Sequence, residues 1–278
     1  MISDRYFTPA SLFWQVNREA LMVLSGPRAL LLELSHPLIA AGVAEHSDYK
    51  RKPLSRLFRT VGVMTAINFE ADSRARKALD HTRRCHAPVQ GRLTEDVGPY
   101  LAGTPYRADD PLLQLWVVAT LIDSVLVAYQ HLVRPLTVAE KEAYYVGGRR
   151  LARAFGIPPE LTPPAYEDFE VYVDAMLRSD ALTVGPAARE VVSALFAPTL
   201  LGPAIQLSSF ISIGLTPPRL REAFGLRWSE ADQRRLQWIG RVSRRLRPFA
   251  PAPLVVHPQA LLAEWRVKNR QRIERIGD

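Results

Sequence analysis

Asp110-Pro111-Leu112-Leu113-Gln114-Leu115-Trp116-Val117-Val118-Ala119-Thr120-Leu121-Ile122-Asp123-Ser124, continuing in mostly apolar residues to about His131, is the stretch that decides the fold. It is too long for one strand, it has no internal glycine or proline, and Pro111 stands at a favourable first helical position behind Asp110. It therefore reads as a long apolar helix. Working outward, Thr137-Val138-Ala139-Glu140 is a capping box that opens a second helix, ending near Gly156 before Ile157-Pro158-Pro159. Helical signals recur at Ser11 to Glu33, Glu70 to Arg84, Tyr166 to Arg178, Pro186 to Phe196, Ser229 to Arg247 and His257 to Ile276. Strand signals are thin, proline-rich connections separate the helices, and no internal repeat is visible. The expectation is an all-α helical bundle forming one domain over residues 1–278, with globin-like packing angles and a connectivity of its own.

Composition narrows the classes. A chain of 278 residues that is 47% hydrophobic can bury a large core. One cysteine, Cys85, excludes an intrachain disulfide and multi-cysteine zinc or iron–sulfur sites, and fits a reducing cytoplasm. Met1 to Pro9 mixes charge and aromatics without an apolar run, so no secretory signal is read there and a cytoplasmic location is expected. The net charge of +8 comes mostly from arginine, since only 5 of 36 basic residues are lysine. No nucleic-acid-binding motif accompanies these arginines, which read as a solvated basic surface without a nucleic-acid partner. Val191 to Pro218 carries no charge, yet Pro198, Gly202 and Pro203 interrupt it. It reads as a buried helical hairpin or the wall of an apolar substrate pocket, and shallow peripheral membrane contact is left open.

Several polar residues stand out against this frame. On a helix Arg56, Arg59 and Thr60 fall at i, i+3 and i+4, so two cations and a hydroxyl share one side; Arg83 and His86 stand likewise at i and i+3. Pro88 disfavours the α conformation at Ala87, so the second of these helices should end at about His86. An imidazole there is either a surface histidine at the negative end of a helix dipole or an electron-rich ligand for iron. Asp123, the sole acid between Leu112 and Val133, needs a cation if buried, and the Arg56 to Arg59 or Arg83-Arg84 segments are the natural donors. Trp116 and Thr120 line one side of the same helix, where core packing is the alternative. Glu45, His46 and Asp48 form a compact cluster without a familiar metal-ligand spacing.

Taken in order, Gly26-Pro27-Arg28-Ala29, His36-Pro37, Glu45-His46-Ser47-Asp48, Arg59-Thr60, His86-Ala87-Pro88-Val89-Gln90-Gly91, Tyr106 to Pro111, Trp116 to Ser124 and Leu151 to Pro158 resemble the MpaB-type oxygenase family, which includes the rubber oxygenases. The resemblance covers most of the chain. It implies a b-type haem whose axial histidine is His86, and a distal side formed by Arg56, Arg59 and Thr60. The rubber enzymes carry Arg-x-x-Lys-Thr where this chain has Arg56-x-x-Arg59-Thr60, and an arginine cannot serve as a compact neutral ligand as a lysine can. Gln90 departs too, from an arginine. Glu45 is the nearest match to a distal acid acting as base.

The expectation is a haem-b-dependent oxygenase acting with dioxygen on an apolar or lipid-like small molecule. His86 would bind the iron, Arg56, Arg59 and Thr60 would orient oxygen, Arg83 would pair with a haem propionate or Asp123, and Asp123, Trp116 and Thr120 would support the pocket. A haem sensor or carrier without turnover, and a cofactor-free helical binding protein, are the alternatives.

Overall fold

The computed structural model describes residues 6–49, 53–196 and 202–277, and it is predominantly helical. In chain order the helices are α1 (Leu12–Asn17), a 3₁₀ helix (Ala20–Ser25), α2 (Gly26–Leu34), α3 (Pro37–His46), α4 (Pro53–Phe69) and α5 (Asp72–His86). After a small hairpin, β1 (Gln90–Arg92) and β2 (Pro105–Arg107), come α6 (Pro111–Leu132), α7 (Val138–Phe155), α8 (Tyr166–Arg178), α9 (Pro186–Leu195) and α10 (Pro203–Leu215). The chain closes with α11 (Pro218–Ala223), α12 (Glu230–Leu246), α13 (Ala252–Val255) and α14 (Pro258–Gly277).

The apolar stretch forms α6 as its caps dictate: the Asp110 side chain accepts from the backbone N–H of Leu112 at 2.8 Å and Leu113 at 3.4 Å. By length and apolarity α6 could span a bilayer. Here its sides are taken by α2, α7, α12 and the 3₁₀ helix, so it serves as the central core helix. Trp116, Val118, Ala119, Ile122 and Leu126 are all buried along it. α1 lies directly on α7 because Gly147 leaves room: a Cβ there would come within 2.4 Å of the Phe13 ring, which stacks on Tyr144 with centroids 5.0 Å apart. The Thr137–Glu140 capping box starts α7, and Gly156, at φ 91°, ends it in the left-handed conformation that glycine adopts freely.

The structure differs from the sequence reading in three places within this framework. The run Ser11 to Glu33 is not continuous, because Arg18 and Glu19 interrupt it and Pro27 sits in the first turn of a new helix, α2. A two-stranded antiparallel hairpin pairs Gly91 with Tyr106, where the sequence offered too few residues for a strand signal. α5 ends at His86 as expected, but Ala87 keeps right-handed α angles, φ −51° and ψ −40°, despite the proline after it. Within the uncharged 191–218 stretch, α9 and α10 are described, whereas residues 197–201 lie outside the described residues.

The buried charge on α6 is also paired differently. Asp123 accepts from Arg28 Nη1 at 2.7 Å, and the same nitrogen donates to Ser124 Oγ at 2.8 Å while Arg28 Nε donates to the carbonyl of Leu215 at 2.9 Å. The partner among the described residues is therefore an arginine of α2 and not Arg59 or Arg83, while the Arg56 side chain lies outside the described residues. Two acts of desolvation are shared here: one guanidinium ties together α2, α6 and the end of α10, and its side chain is 4% exposed.

Candidate oxygenase site

A cleft opens between α1, the 3₁₀ helix, α2, α4, α6 and α7, with His257 at its edge. It encloses about 110 Å³, and about 960 Å³ of atom-free space when its mouth is included. Leu30, Val61, Met64, Leu121, Ile122 and Val125 make most of the wall apolar, and Thr60, Asn68, Glu33, Glu19 and Tyr144 add polar groups. Such an apolar chamber with a few polar groups is the usual form of a small-molecule site.

α4 packs chiefly on α5, with lesser contacts to α1, α2, α9 and α14, and it carries Thr60 to the cleft. Thr60, Val61, Met64, Thr65 and Asn68 line the cleft at helical spacing. Of the residues named from sequence, Thr60 is the one in the cleft wall. Arg59, one residue earlier, is exposed, and the Arg56 side chain lies outside the described residues.

α4 and α5 pack as an antiparallel pair joined only by Glu70 and Ala71, so His86, at the end of α5, returns to the level of the start of α4. Ala75 and Leu79 are buried and Thr82 and His86 half-buried, and these four positions at i, i+4, i+7 and i+11 form one inward stripe. His86 is therefore the inward histidine of α5, although it does not line the cleft. Its charge neighbour is Asp109, whose carboxyl is held below the ordinary carboxylate range by its hydrogen bonds from Arg107, with a smaller pull from His86.

The other candidates are engaged elsewhere. Arg83 pairs with Asp80 at 2.8 Å and donates to the Ala154 carbonyl at 2.9 Å, fastening α5 to the end of α7. Trp116 Nε1 donates to the Leu32 carbonyl at 3.1 Å, and Thr120 Oγ1 to the Val117 carbonyl at 2.7 Å; both are buried in core packing. Glu45 accepts a short hydrogen bond from Tyr106, whose hydroxyl also lies 3.5 Å from His46 Nε2. Burial, then the Glu45 contact, raises the Tyr106 pKa, so this cluster locks α3 to the hairpin with the phenol protonated. Among the described residues no group of three or more His, Cys, Asp or Glu could hold a metal ion. His36, His46 and His131 each use Nε2 on a protein partner: Tyr100 at 3.1 Å, the Gln90 carbonyl at 3.2 Å and the Leu236 carbonyl at 3.1 Å.

Residues 14–245 match the family model described as ER-bound oxygenase mpaB/B'/rubber oxygenase, catalytic domain. The chain belongs to this family. A member of the mpaB/rubber oxygenase family is an enzyme of the oxidoreductase kind, and the all-α fold and the order of sequence motifs agree with that membership. Two uncharacterised relatives, one from Mycobacterium tuberculosis and one from Mycobacterium bovis, are each 30% identical over 228 residues, covering 77% of this chain and 84% of the relative. No solved structure matches the chain significantly.

Three cleft residues were not singled out from sequence. Glu33 is 6% exposed inside the run Leu30-Leu31-Leu32-Glu33-Leu34, and the argument that isolates Asp123, an acid in an apolar helix, applies to it equally. Asn68 and His257 have no such signal, because their significance comes from α4 and the C-terminal segment meeting in space.

Proposed function

We propose that this chain is a haem-b-dependent oxygenase acting with dioxygen on an apolar organic substrate, with His86 as the protein ligand to the iron. The observation that carries the reading is the apolar cleft with Thr60 in its wall, on the helix that pairs with that of His86. The donor chemistry fits: a porphyrin brings four nitrogens and asks the protein for one imidazole, so a lone inward histidine suffices where a protein-held metal would need a cluster. Haem bound there would supply the binding and activation of dioxygen. The chain's own residues do the rest. The Leu30, Leu121, Ile122 and Val125 wall excludes water and receives the apolar substrate. With haem bound, the Thr60 hydroxyl would be the donor available in the cleft wall to orient oxygen, and Asp109 would support the His86 imidazole electrostatically. Glu33, a carboxylate of the cleft wall, would take a proton from the substrate.

The test is a visible spectrum of the purified chain expressed with haem precursor, before and after reduction and again after adding dioxygen. A Soret band that shifts when dioxygen is added is expected. A Soret band indifferent to dioxygen would make the protein a carrier, and no Soret band would remove haem from the account.

A further inference from the structure

The polar residues of the cleft are mostly spent on the protein itself. Both carboxylate oxygens of Glu19 accept from Arg247 at 2.6 Å, Ser25 Oγ donates to the Met22 carbonyl at 2.7 Å, and Asn17 Nδ2 donates to the Phe13 carbonyl at 2.9 Å. Two residues differ. Asn68 is 6% exposed, and its Oδ1 has no hydrogen-bond partner among the described residues. The side chain of His257 is fixed on both sides yet leaves one nitrogen free. Its ring stacks on Phe69 with centroids 5.3 Å apart and planes at 24°, and its Nδ1 accepts from the Gln259 backbone N–H at 3.3 Å. With Nδ1 accepting, a neutral imidazole carries its proton on Nε2, and burial lowers the pKa of the ring and so favours the neutral form. Nε2 is thus a donor, and no partner for it exists among the described residues.

Position is enforced from the backbone. The His257 N–H donates to the Arg18 carbonyl at 2.7 Å, and Val256 forms an isolated antiparallel bridge with Glu19. These contacts sew the C-terminal segment onto the cleft edge. His257 lies beyond residue 245, where the family match ends, so this donor comes from outside the part of the chain that the family defines.

We propose that His257 and Asn68 are the substrate-recognition pair of the cleft, selecting apolar molecules that bear a hydroxyl group, which accepts from His257 Nε2 and donates to Asn68 Oδ1. A hydroxyl both donates and accepts, so it satisfies both residues; a hydrocarbon satisfies neither and a ketone only His257. The inference rests on the cleft being the substrate chamber, as proposed above.

The experiment measures binding to the full chain as purified by isothermal titration calorimetry, using 1-phenylethanol and cumene, which share a shape and differ by hydroxyl against methyl. Wild type should prefer the alcohol by about three- to tenfold, the net worth of a hydrogen bond exchanged with water. His257→Phe, which keeps the ring stack, and Asn68→Leu should each reduce that preference at least threefold, about one hydrogen bond's share, while leaving cumene affinity within about twofold. His257→Gln, which restores a donor, should recover part of it, and it serves as the second variant should His257→Phe not fold. Equal wild-type affinities, or a preference that survives both substitutions, would overturn the recognition pair while leaving the cleft as an apolar chamber. Failure of both probes to bind would overturn the chamber and the pair together.

Discussion

Replacing Arg28 by methionine probes the account of the buried charge most sharply. The substitution keeps an apolar stem of similar length but removes every polar contact that the guanidinium makes: Asp123 at 2.7 Å, Ser124 at 2.8 Å and the Leu215 carbonyl at 2.9 Å. The Asp123 side chain is 19% exposed, so solvent can take over only part of what the guanidinium supplies. Stranding one member of a buried pair costs about 3–5 kcal/mol. In a chain of this size that corresponds to a fall in Tm of about 6–20 °C, at about 2–4 °C per kcal/mol. Arg28→Met/Asp123→Leu removes both charges and leaves only a hydroxyl and a carbonyl short of a donor. The double variant should therefore recover at least about 2 kcal/mol of the loss. Urea unfolding followed by circular dichroism at fixed pH gives both numbers. A single-variant loss under about 1 kcal/mol, or a double variant no better than the single one, would refute the reasoning and return Arg28 to the status of an ordinary packing residue.

Other expectations follow from the same geometry. Gly147→Ala should lower stability by about 1–3 kcal/mol, because its methyl meets Phe13 at 2.4 Å and α1 must shift; a thermal melt reads this directly. Asn68→Leu should raise Tm, since it removes a buried acceptor without a partner, whose cost is about 1–3 kcal/mol. His36 is buried and its pKa is lowered to about 4 mainly by desolvation, so the unfolded chain binds its proton first: stability should fall as pH drops from about 6.5 toward 4, by up to about 3 kcal/mol from this residue. His36→Gln should flatten that slope in urea titrations at pH 7 and pH 5, leaving the smaller same-direction contributions of His131 and His257. Thr60→Val should slow dioxygen-dependent turnover on the order of 10²-fold, as losing one oriented donor does, whereas exposed Arg59→Ala should change it far less; oxygen-electrode rates for the two variants decide whether reaching the cleft is what matters.

Much of the architecture was legible because its signals are local. Asp110-Pro111 and the Thr137 to Glu140 box act within one turn, and α6 and α7 begin where those residues place them, while α8 and α9 begin at Tyr166 and Pro186 as their own local signals indicate. The split of Ser11 to Glu33 was harder, because Arg18 and Glu19 carry no breaker identity; their tie to the C-terminal segment through His257 and Arg247 holds the chain out of helix there. The site was legible only in part. Thr60 and His86 emerge from the spacing and from the family pattern, and the structure sets one on the cleft wall and the other on the inward stripe of the facing helix. The Arg28 to Asp123 pair spans 95 residues of chain and Asn68 to His257 spans more, so neither has a periodicity to betray it. Glu33 was within reach by the rule applied to Asp123, an acid among leucines.

Haem content by pyridine haemochrome assay, in wild type and His86→Ala produced with haem precursor, decides whether His86 holds the iron. Stoichiometric haem is expected in wild type and its loss in the variant, with helical circular dichroism largely unchanged, because His86 is half-buried at the last position of α5. Equal haem in the two proteins, or none in wild type, would contradict this assignment.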